Sequence, residues 1–280
     1  MLKQRVITAI VLLAVLLPAL FAAQPLPLLL LVLLVVGAAG WEWARLNDLK
    51  GAAAIGTGAA VAALGALLFW LLPQPVPRAV WIAVALVWLV GGAWLLRAGV
   101  AQWPHIPRAV RWPLGVLALA LAWLAVAQAR LVGVNFLLSV LLLVWVADSG
   151  AYFCGHALGG RLTRGAKLAR SISPGKTWEG AAGGLLAVLL LAACWIAAER
   201  MWSPAAPSLY TRLLHAGGVA WLLAAAALLC ATSIMGDLLE SLVKRSAGVK
   251  DSSRLLPGHG GVLDRIDALL PVLPLAVALA

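Results

Sequence analysis

Along its 280 residues the chain alternates long apolar blocks with short polar connections. The blocks fall at about 6–22, 27–41, 52–72, 79–96, 112–129, 131–147, 178–198, 216–236 and 266–280. They are Leu, Ala and Val runs without the period-2 alternation of a barrel strand, so each reads as a helix. Lipid offers backbone N–H and C=O groups no partner, and a helix satisfies them within itself. Roughly 20 apolar residues are needed to cross about 30 Å of hydrocarbon, which makes the first, second, sixth and last blocks short spans. The expected fold is all-α: a polytopic integral membrane protein with about nine transmembrane helices.

Composition agrees. Charged residues make up 11% of the chain and hydrophobic ones 64%. A soluble domain carries roughly 25% charged residues, so a water-soluble globule of this size is excluded. The net charge of +11 would suggest nucleic acid in a soluble protein. Here the basic residues lie between apolar blocks, and no nucleic-acid partner is expected. With the N-terminus in the cytoplasm and alternating crossings, only Arg78, Arg130, Arg200 and Arg212 fall outside. Every other Lys and Arg, including Lys3 and Arg5, falls inside, as the positive-inside rule requires of a bacterial-type inner (plasma) membrane protein. Residues 1–5 and the apolar run after them imitate a signal peptide. A second block follows after only residues 24–27, so the first is read as a retained helix in a hairpin.

Several residue types add little. Cys154, Cys194 and Cys230 are far apart and read as inert small hydrophobes. Trp41, Trp43, Trp70, Trp103, Trp112, Trp178 and Trp202 lie near block ends, where interfacial anchors sit. Trp81, Trp88 and Trp123 lie within blocks and pack. Glu42, beside Trp41, is read as interfacial with no assigned role. No internal repeat is visible and no linker separates a soluble domain. The chain divides into N-terminal helices, 1–130, and a C-terminal catalytic region, 131–280.

Two inside loops are long, about 148–177 and 237–265, and both are rich in Gly, Ser, Lys, Arg and Asp. Polar loops on a rigid scaffold carry function. In the second, Asp237 closes one apolar block, while Asp264 and Asp267 open the next at a spacing that puts both on one helical face. Carboxylates at the membrane boundary are costly unless paired, hydrated or bound to a cation. Two or three of them on one spot suit Mg²⁺, which takes oxygen ligands and is shared with substrate phosphates. Lys244, Arg245, Lys250 and Arg254 offer phosphate-neutralising charge in the same loop. Gly258, Gly260 and Gly261 let backbone N–H groups approach an anion. A phosphate or nucleotide substrate follows from the combination.

This stretch resembles the phosphatidate cytidylyltransferase (CDP-diglyceride synthase) family. Ser241, Lys244, Arg245, Lys250, Asp251, Ser253, Leu256, Pro257, His259, Gly260, Gly261, Asp264, Arg265 and Asp267 match the family signature in register and without a gap. The other loop is similar to the family's second conserved block: Asp148-Ser149-Gly150-Ala151-Tyr152-Phe153, then Ser173-Pro174-Gly175-Lys176-Thr177-Trp178-Glu179-Gly180. It departs at His156, where the family often has Arg. The resemblance covers about 148–180 and 233–267; the N-terminal half matches only in hydropathy. A P-loop reading of Gly175-Lys176-Thr177 fails, because the required glycine five residues earlier is Arg170. Lys176 is better read as a phosphate ligand where a loop enters a helix near Trp178, whose N-terminal dipole favours an anion.

The resemblance implies that an oxygen of phosphatidic acid attacks the α-phosphorus of CTP and pyrophosphate leaves, which is mainly a matter of positioning and charge neutralisation. Asp237, Asp264 and Asp267 are expected at Mg²⁺. Lys176, Lys244, Arg245 and Lys250 are expected at phosphates, with Ser173, Ser241 and Ser253 as hydrogen-bond donors. Gly260, Gly261 and Arg265 belong to the same binding loop. His259 either binds phosphate or holds the loop. Asp148 and Glu179 are secondary candidates; His105, His156 and His215 read as structural. The site should face the cytoplasm, with lipid entering sideways from the bilayer, and the family implies a homodimer. A CTP-dependent lipid kinase would share the membrane body but release CDP. A transporter would place charges mid-helix and show inverted repeats.

Overall fold

The structure, a computed structural model, describes residues 2–280, apart from the side chains of Leu2, Lys3 and Arg5. Met1 and the charges of Lys3 and Arg5 counted above therefore lie outside the described residues. The helices are α1 (Leu2–Phe21), α2 (Leu26–Leu46), α3 (Gly51–Leu71), α4 (Arg78–Ala98), α5 (Arg108–Val132), α6 (Val134–Leu158), α7 (Trp178–Trp202), α8 (Leu209–Ser246), the one-turn α9 (Leu263–Ile266) and α10 (Leu269–Leu279). A short 3₁₀ turn, Val100–His105, joins α4 to α5. Among the described residues, seven helices, α2 to α8, are long and apolar enough to cross a membrane. The apolar stretch of α1, Val6–Phe21, and the 11 residues of α10 are shorter.

Helices α6 and α8 run ten or more residues beyond the ends of their apolar blocks. Helix α6 continues through Asp148 to Leu158, and α8 continues through Asp237 to Ser246. A helix leaving lipid keeps its backbone bonds and tolerates polar side chains on its last turns. The block edge therefore marks the membrane surface and not the helix end. Among the described residues the paired strands are a hairpin, β1 (Lys167–Ala169) and β2 (Ser173–Thr177), with Lys167 opposite Thr177 and Ala169 opposite Ser173.

Close packing is built on small residues, as lipid-embedded interfaces require. Helices α6 and α7 approach so nearly that a Cβ on Gly184 would lie 2.6 Å from the Ala147 carbonyl oxygen. A Cβ on Gly58 of α3 would lie 2.5 Å from the Gly37 oxygen of α2. The Ala-rich α5 runs through the middle, touching α2, α3, α6 and α10, and Trp123 donates its indole N–H to the Leu29 carbonyl at 2.9 Å. Both halves of the chain thus share one core. Helix α8 breaks its helical path at Gly217 and Gly218, the latter at φ 70°.

Hydrogen bonds tie the helices together at each end of the bundle. Arg78 donates to the Ala278 carbonyl at 2.7 Å and Arg130 to that of Ala22 at 2.6 Å, joining residues assigned to the outside. At the other end Thr8 donates to the Pro257 carbonyl at 2.9 Å, joining α1 to the second polar loop.

Candidate active site

The two polar loops meet at one end of the bundle. Thr177 caps α7, its hydroxyl accepting from the Gly180 N–H at 3.0 Å, and so fixes where β2 stops. Lys176, one residue earlier, reaches across to α8, and its ammonium lies 2.6 Å from Asp237. Asp237 also accepts from the Ser241 hydroxyl one turn on, at 3.3 Å. Beside it, Gly236 lets the start of the last helical segment come close: a Cβ there would lie 2.7 Å from the Asp267 carbonyl oxygen. That approach brings Asp237 and Asp267 together. Asp148, from the last turns of α6, acts electrostatically on both.

A second cluster adjoins the first. Lys244, 9% exposed, pairs with Glu240 one turn earlier on α8 and with Asp264 at 2.6 Å. Asp264 also accepts from the Gly261 N–H at 2.7 Å, the Ser252 N–H at 3.1 Å and the Ser252 hydroxyl at 3.0 Å. Burial alone raises the Asp264 carboxyl. Its contacts with the Glu240 carboxyl, the Lys244 ammonium and the Gly261 amide overcome that and hold it well below the usual carboxylate range.

Between these clusters lies a basin of about 630 Å³, lined by Asp148, Lys176, Asp237, Lys244, Asp251, Asp264, Arg265 and Asp267 on its polar side. Its apolar wall includes Leu168, Leu185 and Ile234. Among the described residues, no three acidic, His or Cys side chains are drawn together as a ready-made metal cage. What faces the basin is an excess of carboxylates over ammonium groups, with Asp237 acting electrostatically on Asp267. That suits a cation held by one or two carboxylates and completed by water and phosphate oxygens.

The remaining expected site residues do not line the basin. Arg245 and Lys250 are exposed, and the Arg245 guanidinium donates to the Val249 carbonyl at 3.4 Å. Ser173 sits at the start of β2, away from the basin lining. Ser253 is buried and donates to Glu42, not into the basin. The His259 carbonyl accepts from Arg265 Nε at 3.1 Å, so this residue orders the loop's tip. Gly260, at φ 88°, and Gly261 shape the turn ahead of Asp264. Glu179 accepts from the Thr163 N–H at 2.9 Å and its hydroxyl at 2.7 Å, pinning the 159–166 turn to α7.

Two acidic residues were missed. Glu240 had a sequence signal, an acid four residues before Lys244 on one helix. Glu42 had none. Read as interfacial, it is in fact 0% exposed and hydrogen-bonded to the second loop, more than 200 residues away in the chain.

The profile of the cytidylyltransferase family matches residues 3–280. A phosphatidate cytidylyltransferase of Pseudomonas aeruginosa is 39% identical over 284 residues, which cover 100% of this chain and 97% of the relative. One from Haemophilus influenzae is 36% identical over 98% of this chain and 96% of its own. One from Bacillus subtilis is 39% identical over 142 residues, 51% of this chain and 46% of its own.

Proposed function

Since the chain belongs to the cytidylyltransferase family, we propose that the basin joins CTP to phosphatidic acid, giving CDP-diacylglycerol and pyrophosphate. A phosphate oxygen of the lipid bonds to the α-phosphorus of CTP, and the bond from that phosphorus to the β-phosphate bridging oxygen breaks. Phosphatidate is already anionic near neutral pH, so the attacking oxygen needs no general base. The residues' work is to bring two polyanions together and hold them in line.

The observation that carries this reading is the convergence of Lys176, Lys244 and Arg265 with Asp237 and Asp267 on one basin at the membrane rim. Lys176 and Lys244 neutralise phosphate oxygens from two sides, and Arg265 adds a planar guanidinium at the edge. Arg245 and Lys250, exposed on the same polar loop, attract the incoming anions. Asp237 and Asp267 hold Mg²⁺, while Asp264 supports the ion's surroundings by fixing Lys244 and the Gly261 turn. The ion, when bound, neutralises charge on the triphosphate. The apolar wall lets the lipid enter from the bilayer.

The protein is a multi-pass protein of the bacterial inner membrane. We include α1 and α10 among the spans, for nine in all, with the N-terminus and basin in the cytoplasm where CTP is. The homodimer that the family resemblance implies is part of the proposal, and light scattering of the detergent-solubilised protein tests it.

The deciding experiment supplies purified protein with CTP labelled at the α-phosphate, phosphatidate micelles and Mg²⁺. Labelled lipid and pyrophosphate should form in equal amounts. Release of CDP with no label in lipid would identify a kinase instead.

A further inference from the structure

We propose that Glu42 is a positioning residue for the transfer reaction, setting Asp264 and Lys244 through the loop that it anchors. This rests on the function proposed above. Glu42 lies on the last turns of α2, outside both motif regions, and does not line the basin. It is fully buried. A carboxylate taken out of water is tolerated only when its oxygens are met by donors. Here the donors all come from one loop. The Ser252 hydroxyl donates at 3.1 Å, the Ser253 hydroxyl also donates, and the Val262 and Leu263 N–H groups donate at 2.9 and 2.6 Å. Glu42 thus ties together the two ends of the 252–263 segment and accepts from the N–H of Leu263, the first residue of α9, and of Val262 before it, at the start of the turn that bears Asp264.

Two features link this anchor to the chemistry. Ser252 stands between two carboxylates: its hydroxyl is 3.1 Å from Glu42 and 3.0 Å from Asp264, and its N–H also donates to Asp264. The hydroxyl has a single proton for the two acceptors, so a change at Glu42 alters what Asp264 receives. Asp264 in turn holds Lys244. The second feature is Gly261. A Cβ there would lie 2.6 Å from Glu42 Oε1 and 1.9 Å from Ser252 Oγ, so the three groups fit only with glycine at this position. Asp237 and Lys176, on α8 and β2, make no contact with this anchor. Losing it should therefore impair turnover more than CTP capture.

The test compares full-length wild-type, Glu42→Gln and Glu42→Ala proteins in detergent with phosphatidate and CTP. Glutamine keeps the shape but turns an NH₂ toward donors. Both variants should elute and show helical circular dichroism as wild type does. The kcat of Glu42→Ala should fall ~100-fold, the loss typical of a misplaced reacting geometry, while KM for CTP changes about threefold or less. Adding Ser252→Ala to Glu42→Ala should lower kcat by less than about twofold more, because both act on one link. Wild-type kcat in a folded Glu42→Ala protein would overturn the proposal, as would full additivity of the two changes. Should neither Glu42 variant fold, Ser252→Ala alone decides. A drop of roughly tenfold in kcat at constant CTP KM supports the link, and unchanged kcat refutes it. If wild type itself makes no CDP-lipid, it is the proposed function that fails.

Discussion

The Lys176 ammonium lies 2.6 Å from the Asp237 carboxylate, joining the hairpin between α6 and α7 to the C-terminal turns of α8. Each partner is about a quarter to a third exposed, so water and ions reach the pair. On the proposed function the pair would open when a triphosphate offered Lys176 a stronger partner and a divalent ion did the same for Asp237. Lys176→Met should lower kcat/KM for CTP by about 10²–10³ with little change in melting temperature. Steady-state kinetics alongside thermal unfolding checks both halves of that statement.

Metal dependence should separate the carboxylates. Chelation by EDTA should abolish turnover and added Mg²⁺ restore it. Asp237→Asn and Asp267→Asn should each raise the Mg²⁺ concentration for half-maximal activity by roughly tenfold or more, since on the proposed function each would remove an oxygen ligand. Asp264→Asn should lower activity with a much smaller shift in Mg²⁺ requirement. An equal shift for Asp264→Asn would return that residue to the ion.

Lys244 carries a structural charge besides its proposed role at phosphate. Lys244→Met leaves Glu240 and Asp264 facing each other without a cation in a buried place, and should destabilise the protein by about 3–5 kcal/mol. Adding Asp264→Asn to it should recover part of that loss. Chemical or thermal unfolding in detergent reads the series.

The Asp264 carboxyl, held well below its ordinary range, makes a signed pH prediction. Its stabilisation is complete above the unfolded value of about 3.9 and is lost only as pH falls toward the lower folded one. The melting-temperature gap between wild type and Asp264→Asn should therefore be flat from about pH 6 to 8 and shrink below about pH 4. A gap that narrows between pH 6 and 8 would mean that the carboxylate is not held this way.

Gly236→Ala tests the approach of α8 to the last helical segment. The added methyl meets the Asp267 carbonyl oxygen at 2.7 Å and Ala268 Cα at 2.9 Å, both backbone atoms that cannot turn aside. Destabilisation of about 1–3 kcal/mol is expected. Loss of activity should exceed that of Gly91→Ala, where a Cβ meets nothing within 4 Å.

The helices and the functional class were legible in the residues themselves. Lipid forces every spanning segment to satisfy its own backbone, so apolar blocks become helices wherever they pack, and loop charge sets their direction. The motif residues are close in sequence, and the spacing of Asp264 from Asp267 or of Glu240 from Lys244 is a local property of a helical turn. Only the tertiary structure decided which charges meet. Lys176 pairs with Asp237, Ser253 turns away from the basin, and Asp264 is held by protein donors. Glu42 reaches a loop more than 200 residues away because α2 packs beside α9. Hydropathy reports how each residue fares in lipid or water, and a buried carboxylate with four protein donors has the same letter as one in a headgroup layer. Its partners come from distant segments brought together by small-residue helix packing, and no local pattern records them.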